Sequence, residues 1–271
     1  MSIETLQSHW GFTRMPFNKD LSPSMLLGHQ AHAQAKARIT WAIGEGTIGV
    51  ITGEVGAGKT VAVRAATSGL DASRHRVIYL GFPTVGARGI YNAIVEGLGG
   101  LPRFHRAALV AQARGALSAE VIERGRKVIV IVDEAHLLDN EGLEELRLLT
   151  NSDMDQTSPM TLLLVGQPML ARRIKLGTFA ALDQRIGLRY VMGAMTEDET
   201  RSYVDHHLSL AGRSDTLFSD DALGLIHRVA RGLPRAVNNM AVQSLLAAYA
   251  TNKTIVDESS AQAAVAEVTA E

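Results

Sequence analysis

The chain has 271 residues, no cysteine and a formal net charge of −1. Those values exclude a disulfide framework, thiolate zinc sites, cysteine nucleophiles and a uniformly basic nucleic-acid binder. With 46% hydrophobic and 20% charged residues the chain is an ordinary globular protein, long enough for one large domain or two.

Charge is unevenly spread. From Arg64 to Lys127 ten Lys/Arg stand against four Asp/Glu, and from Asp133 to Asp155 eight acids stand against one base, Arg147. The bases are mostly arginine, which genome base composition explains as readily as recognition. No run of about 18 apolar residues occurs, and Met1-Ser2-Ile3-Glu4-Thr5 lacks a basic-then-apolar signal layout. The expectation is a cytoplasmic protein with no membrane partner.

In chain order, residues 1–45 carry weak strand signals. Trp10-Gly11-Phe12 and Met15-Pro16-Phe17 read as a loop-like lead-in, and a helix follows over Gln30–Ile43 with stripes at Ala33, Ala37, Trp41 and at Ile39, Ile43. Ile48–Thr52 reads as a short buried strand. Gly53-Glu54-Val55-Gly56-Ala57-Gly58-Lys59-Thr60 then satisfies the G-x-x-x-x-G-K-[ST] phosphate-loop pattern in full, and a helix opens by Val61. Glycines turn backbone N–H groups inward and the helix N-terminus adds partial positive charge, so such a loop binds polyphosphate. In this pattern Lys59 reaches the β- and γ-phosphates of ATP and the Thr60 hydroxyl ligates Mg²⁺.

Arg76–Leu80 is a second strand with the loop Gly81-Phe82-Pro83 at its exit, followed by helices over Ile90–Gly97 and Ala107–Glu123. The β-branched run Lys127–Val132 reads as a buried parallel strand. It delivers Asp133-Glu134, the acids that a phosphate-loop ATPase needs at a strand tip: Asp133 holds Mg²⁺ through water, and Glu134 polarises the attacking water. Asp133-Glu134-Ala135-His136 also matches a helicase tetrapeptide, but other helicase motifs and a second motor domain are missing. Gly142–Thr150 is an amphipathic helix, and Thr161–Val165 and Leu188–Met192 are the fourth and fifth strands. After Gly193 only helical patterns remain, at Glu197–Ala211, Asp220–Val229, Pro234–Ala250 and Glu258–Glu267. There is no internal repeat and no low-complexity tract. Strands alternating with helices predict an α/β fold with a parallel five-stranded sheet between helices, then a small all-helical C-terminal domain.

These features together resemble the AAA+ ATPases. Within them the chain looks like the ExeA-, TniB- and TnsC-type group of secretion-associated and transposition-regulator ATPases. The carriers are Trp10-Gly11-Phe12 with Pro16-Phe17, the phosphate loop, and Asp133-Glu134-Ala135-His136-Leu137-Leu138. Leu164-Val165-Gly166-Gln167-Pro168, Gln184-Arg185-Ile186 and Gly232-Leu233-Pro234-Arg235 complete the set. The resemblance implies a sheet ordered fifth, first, fourth, third, second. It implies a lead-in over 1–45 packing on the ATPase core, a P-loop ATPase domain over 46–194 and a helical lid over 195–271. It implies that Gln167 senses the γ-phosphate, that Arg185 (or else Arg189) is a finger completing a neighbouring subunit's site, and that Arg235 contacts nucleotide in cis. It places Phe17 either in the adenine pocket or in the core.

Secretion-type members carry a membrane segment and further domains after the ATPase. Ending after the lid favours transposition as the expectation: a homo-oligomeric ring or filament on double-stranded DNA that directs a transposase or target-selection protein. Arg103, Phe104, His105 and Arg106 are the first candidate DNA loop, with Arg124, Arg126 and Lys127 as a second patch able to neutralise phosphates without reading bases. The alternative is a nucleotide-switched module for a secretion or signalling complex without dedicated DNA contact. A small-molecule phosphotransferase is a third, weakened by the lid and the finger, which a kinase does not need.

Overall fold

The computed structural model describes residues 2–18, 21–81, 83–151 and 158–269. Phe82 of the second strand's exit loop and the acids Asp153 and Asp155 lie outside them. In chain order the elements begin with α1 (Ile3–Trp10), α2 (Gln30–Glu45), β1 (Ile48–Gly53) and α3 (Lys59–Thr67). Then come β2 (His75–Leu80), α4 (Gly86–Gly97), α5 (Arg106–Ile122), β3 (Lys127–Val132) and α6 (Asn140–Leu149). The strand-bearing part ends with β4 (Met160–Gly166), α7 (Pro168–Ile174), α8 (Ala180–Arg185) and β5 (Ile186–Met192). Four helices follow: α9 (Glu197–Leu210), α10 (Asp220–Ala230), α11 (Pro234–Ala250) and α12 (Glu258–Thr269).

The chain divides into two compact units, Gln34–Val55 with Lys59–Met192, and Met1–Ala33 with Gly56–Gly58 and Gly193–Glu271. In the strand-bearing unit five parallel strands run in the order β2-β3-β4-β1-β5, the order expected from the sequence. β1 and β4 are buried along their whole length and β3 from Val128 onward, as their apolar runs require when helices cover both faces. Gly49 matters here: a Cβ would lie 2.9 Å from a Leu163 methyl and 3.7 Å from Ala42 Cβ, so glycine lets α2 settle onto the sheet. On α2 the buried stripe is Ala35, Ile39, Ala42 and Ile43, whereas Ala33, Ala37 and Trp41 face outward. One of the two expected stripes is therefore the solvent face.

The other unit packs α9 to α12 around its own core. Its helix starts follow local chemistry. Thr196 and Glu199 form a capping box on α9, Ser219 caps α10, and Pro234 fills the first turn of α11, where a missing N–H costs nothing.

The lead-in departs from expectation. Residues 1–33 belong to the helical unit, not to the strand-bearing core. Ile3–Trp10 forms a helix capped by Ser2 and stopped by Gly11 at φ 68°. The Thr13 N–H donates to Ala211 O, Arg14 Nε to Leu210 O, and Arg213 Nη1 to Trp10 O. The physical reason is volume: α9 to α12 contribute mainly Ala, Leu, Val and Met to that core, and Trp10, Phe12 and Phe17 join Phe218 as its large buried rings.

Candidate nucleotide-binding site

β1 carries the chain to Gly53, where a Cβ would meet Met192 O on β5 at 2.8 Å, so glycine is the side chain that fits. Gly56 and Gly58 then take φ values of 82° and 91°, the left-handed region open to glycine. Lys59 opens α3, and its buried Nζ donates to Gly53 O at 2.8 Å and Glu54 O at 2.9 Å, inside the arc of the loop. The neighbouring Thr60 hydroxyl donates to Asp133 Oδ2 at 2.6 Å. Glu54, Val55 and Thr60 are exposed at the loop's rim, and Ala57 is buried beneath it.

Strand register brings the other candidates to the same end of the sheet. Val132 pairs with Leu164, which pairs with Val50, so Asp133 and Glu134 emerge level with the last residues of β1. Gly166 pairs with Thr52, so Gln167 leaves β4 beside Gly53 and stands immediately before α7. Asp133 is 5% exposed and accepts three hydrogen bonds: from Thr60, from the Tyr79 hydroxyl at 2.9 Å, and from the Glu134 N–H at 2.9 Å. Glu134 is a non-glycine residue at φ 51°, ψ 34°, and its half-exposed carboxylate lies 3.4 Å from His136 Nδ1. Such a backbone conformation costs energy and concentrates at functional sites. Arg173 on α7 clamps the turn that follows, with Nη1 donating to Leu138 O at 2.5 Å and Nη2 to Asn140 Oδ1 at 3.0 Å.

Sequence reasoning missed Tyr79 and Arg173. Tyr79 sits on edge strand β2, whose alternation (Val77 and Tyr79 out, Ile78 and Leu80 in) could have put its ring on one face. Burial first, then the bond to Asp133 and the charges of Asp133 and Glu134, push its hydroxyl up to about 12. A tyrosine hydroxyl is protonated at neutral pH at its ordinary pKa as well, so Tyr79 donates there. Arg173 had no local signal.

Arg185 ends α8 at the opposite end of the sheet, because Ile186 pairs with Ile48. The five residue steps of β1 span about 17 Å at a strand's usual rise. Arg185 is half-buried and lines a cavity of about 630 Å³ with Glu45, Arg147 and Gln184. Arg147 hydrogen-bonds Glu144 and holds that carboxyl below its ordinary range, and the charge of Arg185 adds to the effect. Arg189 is tied to Asp183 Oδ1 and O, both at 2.8 Å.

In the helical unit, which takes in Gly56–Gly58, the Arg235 N–H donates to Gly56 O at 3.3 Å. Phe17 is a core residue there, buried and stacked on His207 with ring centroids 5.1 Å apart. Burial, then His206 and Arg14, lower the His207 pKa to about 4, so the partner ring is neutral.

The basic candidates separate into engaged and open side chains. Glu120, 1% exposed, receives both Arg124 and Arg126 at 2.7 Å, and Lys127 Nζ donates to Gly44 O at 2.8 Å. A buried carboxylate needs such partners, so that patch has a structural duty. Arg106 holds Glu141 at 2.5 Å and Glu145 at 2.7 Å. Arg103, Phe104 and His105 stand exposed.

Comparison with known proteins agrees with this geometry. Residues 43–174 match a family model described as an AAA domain. General secretion pathway protein A of Aeromonas hydrophila is 31% identical over 245 residues, which span 89% of this chain and 44% of that protein. The chain thus corresponds to less than half the length of this curated relative. Among solved structures, Aeropyrum pernix ORC1 protein in complex with DNA is similar at TM-score 0.69 and 16% identity, covering 93% of this chain and 68% of that one. Drosophila ORC bound to DNA is similar at TM-score 0.70 and 17% identity, covering 100% and 68%. Among the described residues no helix is long and apolar enough to cross a membrane. With its sheet order, its phosphate loop against Asp133, its AAA-domain match and its likeness to the secretion protein, the chain has the fold of AAA+ P-loop proteins and is similar to their ExeA-type group.

Proposed function

We propose that this protein binds ATP with Mg²⁺ and hydrolyses it between neighbouring copies in a ring or filament on double-stranded DNA. That assembly directs a transposase or target-selection protein. The observation that carries the reading is the division of the chemistry across the sheet. Lys59, Thr60, Asp133, Glu134 and Gln167 converge at one end, and Arg185 stands at the other.

The residues fit the group they would hold. The N–H groups of 53–61 and Lys59 would cradle the phosphates, Thr60 and Asp133 would hold Mg²⁺, and Arg235 would contact nucleotide from beside Gly56. Bound Mg²⁺ supplies neutralisation of the charge that develops on the phosphates. Glu134 orients and deprotonates the attacking water, and Gln167 reports on the γ-phosphate. Tyr79 fixes the Asp133 carboxylate through one of its three hydrogen bonds. Tyr79→Phe is therefore expected to raise the Mg²⁺ concentration for half-maximal hydrolysis by about twofold to tenfold, the worth of one hydrogen bond. An unchanged Mg²⁺ titration would remove Tyr79 from the site.

DNA binding draws on the open cation Arg103 beside the exposed Phe104 and on the DNA to which the similar ORC proteins are bound. Each phosphate neutralised adds about 0.9 to the slope of log affinity against log salt. Arg103→Ala is expected to flatten that slope by about this amount per subunit, with ATP affinity kept. The deciding experiment mixes the protein with plain duplex and ATP and images it by electron microscopy. Without DNA binding by the parent protein, the transposition reading fails. A second reading then takes its place: a nucleotide-switched module of a secretion complex, which the likeness to General secretion pathway protein A favours.

A further inference from the structure

We propose that the turn at residues 101–105 is a rigid wedge that inserts Phe104 into a base-pair step of duplex DNA, with Arg88 and Arg103 on the flanking phosphates. This rests on the DNA-binding reading above and adds how the duplex is held: by opening a stacked step as well as by charge.

The turn presents large apolar groups to water. Leu101 is 89% exposed and Phe104 77%. A flexible loop would fold such groups away, but this one is pinned. From α5, Gln112 Nε2 donates to Leu101 O at 2.9 Å, and its Oε1 accepts the Arg103 N–H at 3.0 Å. One amide side chain thus braces both ends of Leu101-Pro102-Arg103, and the proline stiffens the middle.

The surroundings of the ring match a base better than a protein side chain. The Arg88 guanidinium lies over the Phe104 ring, 5.2 Å from its centroid, and His105 meets it edge-on at 5.4 Å. An exposed aromatic ring beside an arginine is what stacks bases while neutralising their backbone. Exposed Phe and Leu beside Arg are also the side chains with which proteins prise apart base steps and bend DNA. Arg106, which follows the turn, is bonded to both α6 acids, Glu141 and Glu145, and partly neutralises them. That gives Arg106 a shielding duty in place of the phosphate contact expected from the sequence.

The test uses a duplex with one adenine replaced by 2-aminopurine at its centre, titrated with the full chain and ATP. Opening the step makes the analogue fluoresce, so a rise on binding is expected for the parent. Phe104→Ala is expected to lose most of that rise and to bind about tenfold more weakly, within the worth of one stacked base. Phe104→Trp, which keeps a stacking ring, is expected to restore both. The exposure of position 104 leaves the fold intact, checked by an unchanged melting temperature. If the parent binds duplex with no rise, the wedge is overturned and the DNA-binding reading stands. If the parent does not bind duplex, that reading fails first. If Phe104→Ala keeps binding and fluorescence but loses self-association in light scattering, the turn is a contact between copies and the wedge is overturned.

Discussion

Arg185→Ala is expected to retain ATP binding and to lose about 10³- to 10⁵-fold of assembly-dependent hydrolysis, the usual worth of an arginine that completes a phosphoryl-transfer site. The argument is one of reach. Ile186 pairs with Ile48 at the start of β1, and the phosphate loop follows Gly53 at its end. A separation of about 17 Å along the strand exceeds the span of an arginine side chain, so Arg185 has no access to its own chain's loop. Arg189 is held by Asp183, and Arg185 stands beside the Arg147–Glu144 pair. The check is a mixing experiment. Arg185→Ala supplies an intact Glu134, and Glu134→Gln supplies an intact Arg185, so mixed assemblies should regain part of the activity that each lacks. No recovery at any ratio would mean that hydrolysis needs nothing from a neighbour.

The sheet was legible because each of its strands announces itself locally. Lys127–Val132 is β-branched almost throughout, and the phosphate-loop pattern marks the end of β1 without reference to anything distant. Strand order came from resemblance, and the structure reproduces it. What was not legible depended on partners far along the chain. The helix Ile3–Trp10 and the rings of Trp10, Phe12 and Phe17 look like a loose lead-in until Thr13 and Arg14 beside them are seen to donate to Ala211 O and Leu210 O. The same holds for the basic patches. Sequence shows that Arg106, Arg124 and Arg126 are positive, but not that Glu141, Glu145 and the buried Glu120 already engage them. Glu120 and Arg124 stand at i,i+4 and only the burial of Glu120 was hidden, whereas the pairs of Arg106 span 35 and 39 positions and leave no periodicity to read. The Tyr79–Asp133 bond spans 54 positions and was invisible for the same reason.

Glu134→Gln is expected to bind ATP-Mg²⁺ with parental affinity, to hydrolyse it about 10²- to 10⁴-fold more slowly, and so to trap the assembled state. Gln keeps the shape and the backbone demands of the position and removes only the base. Those demands are specific: Glu134 holds φ 51°, ψ 34° with its N–H on Asp133 Oδ1, and Arg173 anchors the turn just beyond it. A non-glycine residue kept there costs about 1–3 kcal/mol, which the surrounding bonds must offset. The backbone thus aims the carboxylate away from the core, half-exposed, at the end of the sheet where Lys59 and Thr60 stand. Lys59→Ala provides the contrast. It removes the cation from the loop and should lose nucleotide affinity itself, so isothermal titration with ATP-Mg²⁺ separates the two variants. Should Glu134→Gln hydrolyse ATP at the parental rate, the water-activating group lies elsewhere, and the strain at position 134 needs another explanation.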